Sequence, residues 1–195
     1  MSRLAQDPED LRKKVMEACI GTFNEKGIRL TMSDVATRCH ISKKTLYLMF
    51  EDKEEMLLNA IDHCFDSIKE CEKEIYDDPD LSTLEKIKKI MGIMPDRYRD
   101  IDFTKGSEFK DVYPSLYKRI NERLSNDWDY TISLIERGIK EGVIRSDISI
   151  YVLKAVIEGA IDNMLSDKGF KKAGLTYAKA LDELIEMIIN GIRAR

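Results

Sequence analysis

Apolar residues return every three or four positions through most of this chain, and the breaks in that rhythm divide it into helices. Leu11, Val15, Ala18, Cys19, Thr22 and Phe23 share one face, which predicts a helix from about Pro8 to Lys26, with Pro8 suited to its first turn and Gly27 to its end. Val35 and Ala36, with Cys39 one turn later, predict a short second helix that Thr31 and Asp34 open as a capping box. The turn is His40-Ile41-Ser42, after which Leu46 and Phe50, at i and i+4, give a third helix its buried stripe and Ser42 its cap. Asp52 and Glu55 open a longer helix whose stripe of Leu57, Ile61, Phe65, Ile68 and Ile75 carries it to about Tyr76, a rod of roughly 36 Å. Asp77-Asp78-Pro79-Asp80 then breaks the chain.

Beyond the break the pattern predicts a helix over Leu81–Met94 closed by Pro95, an irregular region over Asp96–Pro114, and one long helix over Ser115–Glu141 that stops at Gly142. Two helices follow, about Ile148–Asp167 and Leu175–Arg193. The first is apolar nearly all the way round, and the second carries a seam of Ala178, Leu181, Ile185, Ile188 and Ile192. Gly159 beside Ala160 weakens the first helix, which is explicable where another helix comes close. The two faces can pack on their own domain; the sharper reading is a four-helix interface between two copies, with Val152, Val156, Gly159 and Ala160 from the first helix and the five seam residues from the second. Every element so predicted is helical. The expected fold is all-α, with an N-terminal three-helix domain at 1–52 and a C-terminal helical domain at 53–195.

The stretch Thr31–Lys53, TMSDVATRCHISKKTLYLMFEDK, thus reads as a helix, a tight turn and a second helix. With Leu46 and Phe50 turned inward, Lys43, Lys44, Thr45, Tyr47 and Leu48 are left on the faces available to a DNA groove. Phe23, Gly27, Thr31, Val35-Ala36, Ile41-Ser42, Thr45-Leu46-Tyr47, Phe50, Lys53 and Leu57 fall in the order and spacing of the amino-terminal domain of TetR/AcrR-type transcriptional regulators, and over its first quarter to third the chain resembles that family. Two positions depart from the pattern: His40 stands where the turn usually has Gly, and Lys44 where Gly often follows the first Lys. The connection Gly142-Val143-Ile144-Arg145-Ser146-Asp147 also resembles one seen in the family. Local geometry and the resemblance point to the same DNA-facing residues. Lys43 and Lys44 suit guanine O6/N7 or phosphate, Thr45 and Ser33 base edges or backbone, and Tyr47 and Lys53 phosphate. Thr31 and Ser42 are either helix caps alone or, as the resemblance implies for Thr31, phosphate contacts as well.

The resemblance further implies a homodimer on a palindromic double-stranded operator, released by a small, largely apolar effector of unknown identity, with repression the commonest outcome. Candidate lining residues are Met91, Met94, Tyr98, Phe103, Phe109, Tyr113, Tyr117, Trp128 and Met164, although a Met or aromatic at helical spacing also reads as core. A swing of the rod over Asp52–Tyr76 would carry the signal to the DNA. The alternative is a dimeric small-molecule or protein-binding module of the same fold that has lost DNA binding.

Charge and composition narrow the picture further. The net charge of −4 divides unevenly: residues 1–50 hold nine Lys/Arg to six Asp/Glu, and the remainder 23 to 30, so the basic surface lies where DNA is expected. With 43% apolar residues over 195 positions the chain can bury a sizeable core. No run reaches the length of a membrane span and no signal-peptide core opens the chain, so a cytoplasmic protein without membrane partners is expected. The chain has none of the usual catalytic motifs, so neither enzymatic activity nor a cofactor is expected. Cys19 and Cys39 occupy apolar helical positions and read as packing residues. Cys64 and Cys71 share a face seven residues apart and cannot join each other. They read as packing residues too, with a thiol sensor, or a metal site using His63 and Cys64, as the other use.

Overall fold

The computed structural model describes residues 7–98, 105, 108–166 and 173–194. Among them the regular elements are α1 (Pro8–Lys26), a 3-10 turn (Gly27–Arg29), α2 (Met32–Arg38), α3 (Lys43–Tyr47), α4 (Lys53–Asp77), α5 (Thr83–Met91), a second 3-10 turn (Asp96–Tyr98), α6 (Phe109–Val112), α7 (Pro114–Asn126), α8 (Asp129–Lys140), α9 (Ile150–Ser166) and α10 (Tyr177–Ile192). They gather into two compact units, one within residues 1–65 and 105–120, the other within 66–104 and 121–195. The fold is all-α, with a helix-turn-helix near its amino terminus.

In the first unit, the stripes of α1 to α4 meet in a core that includes Val15, Cys19, Val35, Leu46, Phe50 and Met56, each at most 1% exposed. Phe109 and Leu116 close this core from the later part of the chain, with the rings of Phe23 and Phe109 stacked at 5.0 Å. Polar ties fix the same surfaces: Arg119 grips Asp62 through two hydrogen bonds of 2.8 and 3.1 Å, and Ser115 donates to Glu54. Burial pushes the Cys19 thiol up to about 12 and raises that of Cys39, so both stay protonated and pack as apolar groups.

The second unit is built on α5 and α8, with Ile87, Ile90, Leu134, Ile135, Ile144 and Ile157 at its centre. The buried Lys86 donates to the Tyr76 carbonyl at 2.7 Å, placing a cation at the C-terminal end of α4, where the helix dipole favours it. Gly138 sits where α8 folds back on the following chain: its carbonyl accepts from the amides of both Val143 and Ile144 at 3.0 Å. Gly142 makes that reversal with φ 74°. Arg145 donates from its amide to Ile192 at 2.9 Å and Ala194 to Val143 at 3.0 Å, while the Arg145 guanidinium holds Asp147 at 2.6 and 2.5 Å. The Gly142–Asp147 connection therefore pins the end of α10.

Two predicted elements differ. The helix expected over Leu81–Met94 is shorter, because a Ser82–Glu85 capping box starts α5 at Thr83 and Gly92 ends it. The single helix expected over Ser115–Glu141 is two, α7 and α8. At Trp128 the backbone leaves helical geometry (φ −106°, ψ 4°), and the indole N–H donates to the Leu124 carbonyl at 2.6 Å. Arg123 holds the Asp127 carboxylate at 2.7 Å and so steadies the break. An apolar period that continued across the junction concealed it.

Candidate nucleic-acid interface

The interface is assembled from local capping. Thr31 accepts from the Asp34 amide at 3.2 Å and Asp34 returns to the Thr31 amide at 2.9 Å, completing the capping box that starts α2. Lys26 lies 2.6 Å from the Asp34 carboxylate, and with the Thr31 hydroxyl and amide it holds that carboxyl below the ordinary carboxylate range. α2 ends in a paired reversal: the His40 amide donates to Thr37 at 3.1 Å and the Ile41 amide to Ala36 at 3.0 Å, the two bonds of a Schellman motif. The residue that turns it is His40 at φ 56°, the one non-glycine with positive φ among the described residues. Ser42 then caps α3, accepting from the Thr45 amide at 3.0 Å, with its hydroxyl 2.8 Å from that of Thr45.

This hydrogen bonding fixes how α3 is presented. Leu46 and Phe50 are 0% and 1% exposed, whereas Tyr47 and Leu48 are 51% and 80% exposed. Lys43 and Lys44 are exposed as well, and among the described residues neither forms an ion pair. A short helix thus holds one face in the core and offers two ammonium groups, a phenol and a leucine on the other.

The remaining expected DNA contacts are placed differently. Ser33 is exposed on the first turn of α2. Thr31, Ser42 and Thr45 have their hydroxyls engaged in capping, which leaves each with part of its hydrogen-bonding capacity. Lys53 is half-buried: its ammonium donates to the Ile28 carbonyl at 2.6 Å and lies 5.3 Å from the Tyr113 ring. Two of its three donors are left for a phosphate. Leu48, expected on a face available to the groove but given no contact of its own, caps the end of α3 and is 80% exposed; its i+4 spacing from Lys44 was the available signal.

The expected effector residues divide between the units. Phe109, Tyr113 and Tyr117 pack on the first core, and Met91, Met94, Tyr98, Trp128 and Met164 belong to the second unit; Phe103 lies outside the described residues. Tyr98 is 2% exposed, with its hydroxyl 3.5 Å from that of Ser67. The expected interface residues divide by burial. Leu181, Ile185, Ile188 and Ile192 are core residues of their own unit, each at most 9% exposed, and Ala178 is half-buried. Val152 and Val156 are 58% and 53% exposed on α9, with Gly159 exposed and Ala160 half-buried beside them. Tyr151 and Met187 are also exposed. Among the described residues, nothing lies within 4 Å of where a Cβ would stand on Gly159. Cys64 and Cys71 are half-buried on α4, and no group of three metal-ligating side chains is gathered among the described residues. No helix among them is long and apolar enough to cross a membrane.

A capped helix-turn-helix that exposes a basic, aromatic face, followed by a larger helical unit, is the architecture of a DNA-binding transcriptional regulator. Residues 15–60 match the family model described as bacterial regulatory proteins, tetR family. Over 182 residues the chain is 21% identical to the uncharacterized HTH-type transcriptional regulator YvaF of Bacillus subtilis (strain 168), covering 93% of this chain and 95% of that one. In fold it is similar to the fatty acid degradation regulator FadR from Bacillus halodurans, with a TM-score of 0.69 at 16% identity over 97% of this chain and 99% of the other. It is also similar to the transcriptional regulator FadR from Bacillus subtilis, solved in complex with stearoyl-CoA, with a TM-score of 0.64 at 18% identity over 92% and 98%. The match to the tetR family is thus carried by the amino-terminal domain, residues 15–60, and along the rest of its length the chain shares the fold of these regulators.

Proposed function

We propose that this protein binds a palindromic operator as a homodimer, represses from it, and releases it when a small apolar effector binds. The observation that carries the reading is the exposed face of α3, where Lys43, Lys44 and Tyr47 stand opposite the buried Leu46 and Phe50. Two lysines and a tyrosine so displayed contribute nothing to the core, whereas a duplex offers them phosphates and base edges. Ser33, Thr45 and Lys53 add contacts at the margin, and Thr31 and Ser42 serve chiefly as caps.

The functional division proposed is a DNA-binding part at 1–52 and an effector-binding and dimerisation part at 53–195. It is a division of labour rather than of packing, since α4 contributes residues to both compact units. α4 is accordingly the proposed route by which an effector changes the spacing of two recognition helices. The dimer surface proposed is the outward side of α9, with Val152, Val156, Gly159 and Ala160, while the buried seam of α10 supports it from behind. The effector is expected to contact some of Met91, Met94, Tyr98, Trp128 and Met164. Because FadR from Bacillus subtilis holds stearoyl-CoA, a long-chain acyl thioester is the first ligand to test.

The test is selection of genomic fragments by the purified protein under excess competitor DNA, followed by titration of the selected complex with stearoyl-CoA. A discrete complex on an inverted repeat, dissociated by the thioester, is expected. Retention only of salt-sensitive complexes without sequence preference would overturn the operator reading, and a specific complex indifferent to the thioester would overturn the effector class alone.

A further inference from the structure

The outermost ridge of α3 is not wholly basic. Residues in a helix advance by about 100°, so with Leu46 at the centre of the buried face, Lys44 and Leu48 each stand about 160° away from it, on the side most removed from the core. The Leu48 amide donates to the Lys44 carbonyl at 3.1 Å, which sets the two side chains one turn apart. Leu48 is 80% exposed and Leu46 fully buried; the exposed leucine thus packs on nothing that would account for it.

The chemistry of the major groove does account for an apolar side chain there. Thymine alone presents a methyl group on that edge, and guanine presents two acceptors, O6 and N7. The flanking Lys43 and Lys44 bring the ridge to the polyanion, so the surface Leu48 meets is that of a duplex. We infer that Leu48 is a specificity-determining residue, packing on the 5-methyl of a thymine in each half-site while Lys44 takes a guanine edge close by. Four helical residues rise about 6 Å, close to two base-pair steps of about 3.4 Å each, so the thymine lies within about two base pairs of that guanine. The inference rests on the operator reading above.

The experiment uses the full-length protein and the operator it selects. Each thymine of a half-site is replaced in turn by uracil, which removes the methyl and leaves pairing intact, and binding is measured for the wild type and for Leu48→Ala. One thymine per half-site is expected to respond, with uracil weakening the wild type by roughly four-fold per half-site, the effect of withdrawing one methyl from an apolar contact. Leu48→Ala should bind the thymine operator more weakly and no longer distinguish thymine from uracil at that position. Its salt dependence should match the wild type, because no phosphate contact is lost. Equal wild-type binding to all uracil operators, or discrimination that persists in Leu48→Ala, would overturn the inference while leaving the operator reading standing. Failure to select any operator would overturn both. An 80% exposed position tolerates alanine without loss of fold, and the wild-type uracil series needs no variant.

Discussion

His40 illustrates how much a single backbone angle decides. Its φ of 56° closes the Schellman reversal after α2, and that reversal aims α3. An L residue in this conformation costs about 1–2 kcal/mol, part of which glycine returns through its greater freedom in the unfolded chain. His40→Gly should therefore stabilise the protein by roughly 0.5–1 kcal/mol, read as a higher urea midpoint with an unchanged slope. Lys44 and Tyr47 face outward, so under the proposed function their contribution is to DNA binding and not to folding. Lys44→Ala and Tyr47→Ala should each weaken operator binding about ten-fold or more, in line with 1–3 kcal/mol for a good contact, and leave the melting temperature where it is. Wild-type affinity in both would mean that α3 does not face the duplex.

Among the elements, α8 depends on a residue with no side chain. A Cβ on Gly138 would stand 2.7 Å from Cγ1 of Ile144, a residue 2% exposed and tied to Gly138 by its own amide. Neither partner can retreat, so Gly138→Ala should cost about 1–3 kcal/mol, measured by denaturant unfolding. α4 carries an opposite kind of strain in Glu72. Burial pushes its carboxyl above the ordinary range, and the Lys69 ammonium at 2.9 Å offsets this only in part. A carboxyl raised in the folded state contributes stability when protonated and loses it as pH rises through the folded value. The stability of the wild type relative to Glu72→Gln should accordingly fall as pH climbs out of the carboxylate range. A difference independent of pH would show that folding does not raise the Glu72 carboxyl.

The whole molecule raises the matter of which apolar surfaces look outward. In α9, Val152 and Val156 are more than half exposed, whereas Leu181, Ile185, Ile188 and Ile192 of α10 are buried. Under the proposed dimer, Val156→Glu should yield a folded monomer with weakened operator binding, seen by sedimentation. Leu181→Ala should instead lower stability by about 2–5 kcal/mol, because it opens a cavity in a core. A Val156→Glu protein that remains dimeric would move the interface elsewhere.

The caps at Thr31, Ser42 and Asp52, the stops at Gly27 and Gly142 and the turn through His40 were all legible in the sequence, because each rests on hydrogen bonds between residues three to five apart. The buried face of α3, and with it the outward placement of Lys43, Lys44 and Tyr47, followed from the same local period. Local signals could not separate α7 from α8, where the break depends on Trp128 and Arg123 finding partners that the apolar rhythm does not record. Nor could they divide the aromatic residues between two cores, since Phe109 is committed to Phe23, 86 residues earlier in the chain. The seam of α10 and the stripe of α9 read alike as apolar helical faces. Periodicity determines that a face will be covered; only the tertiary structure decides whether the chain itself covers it, and α10 is covered while the outward side of α9 is not.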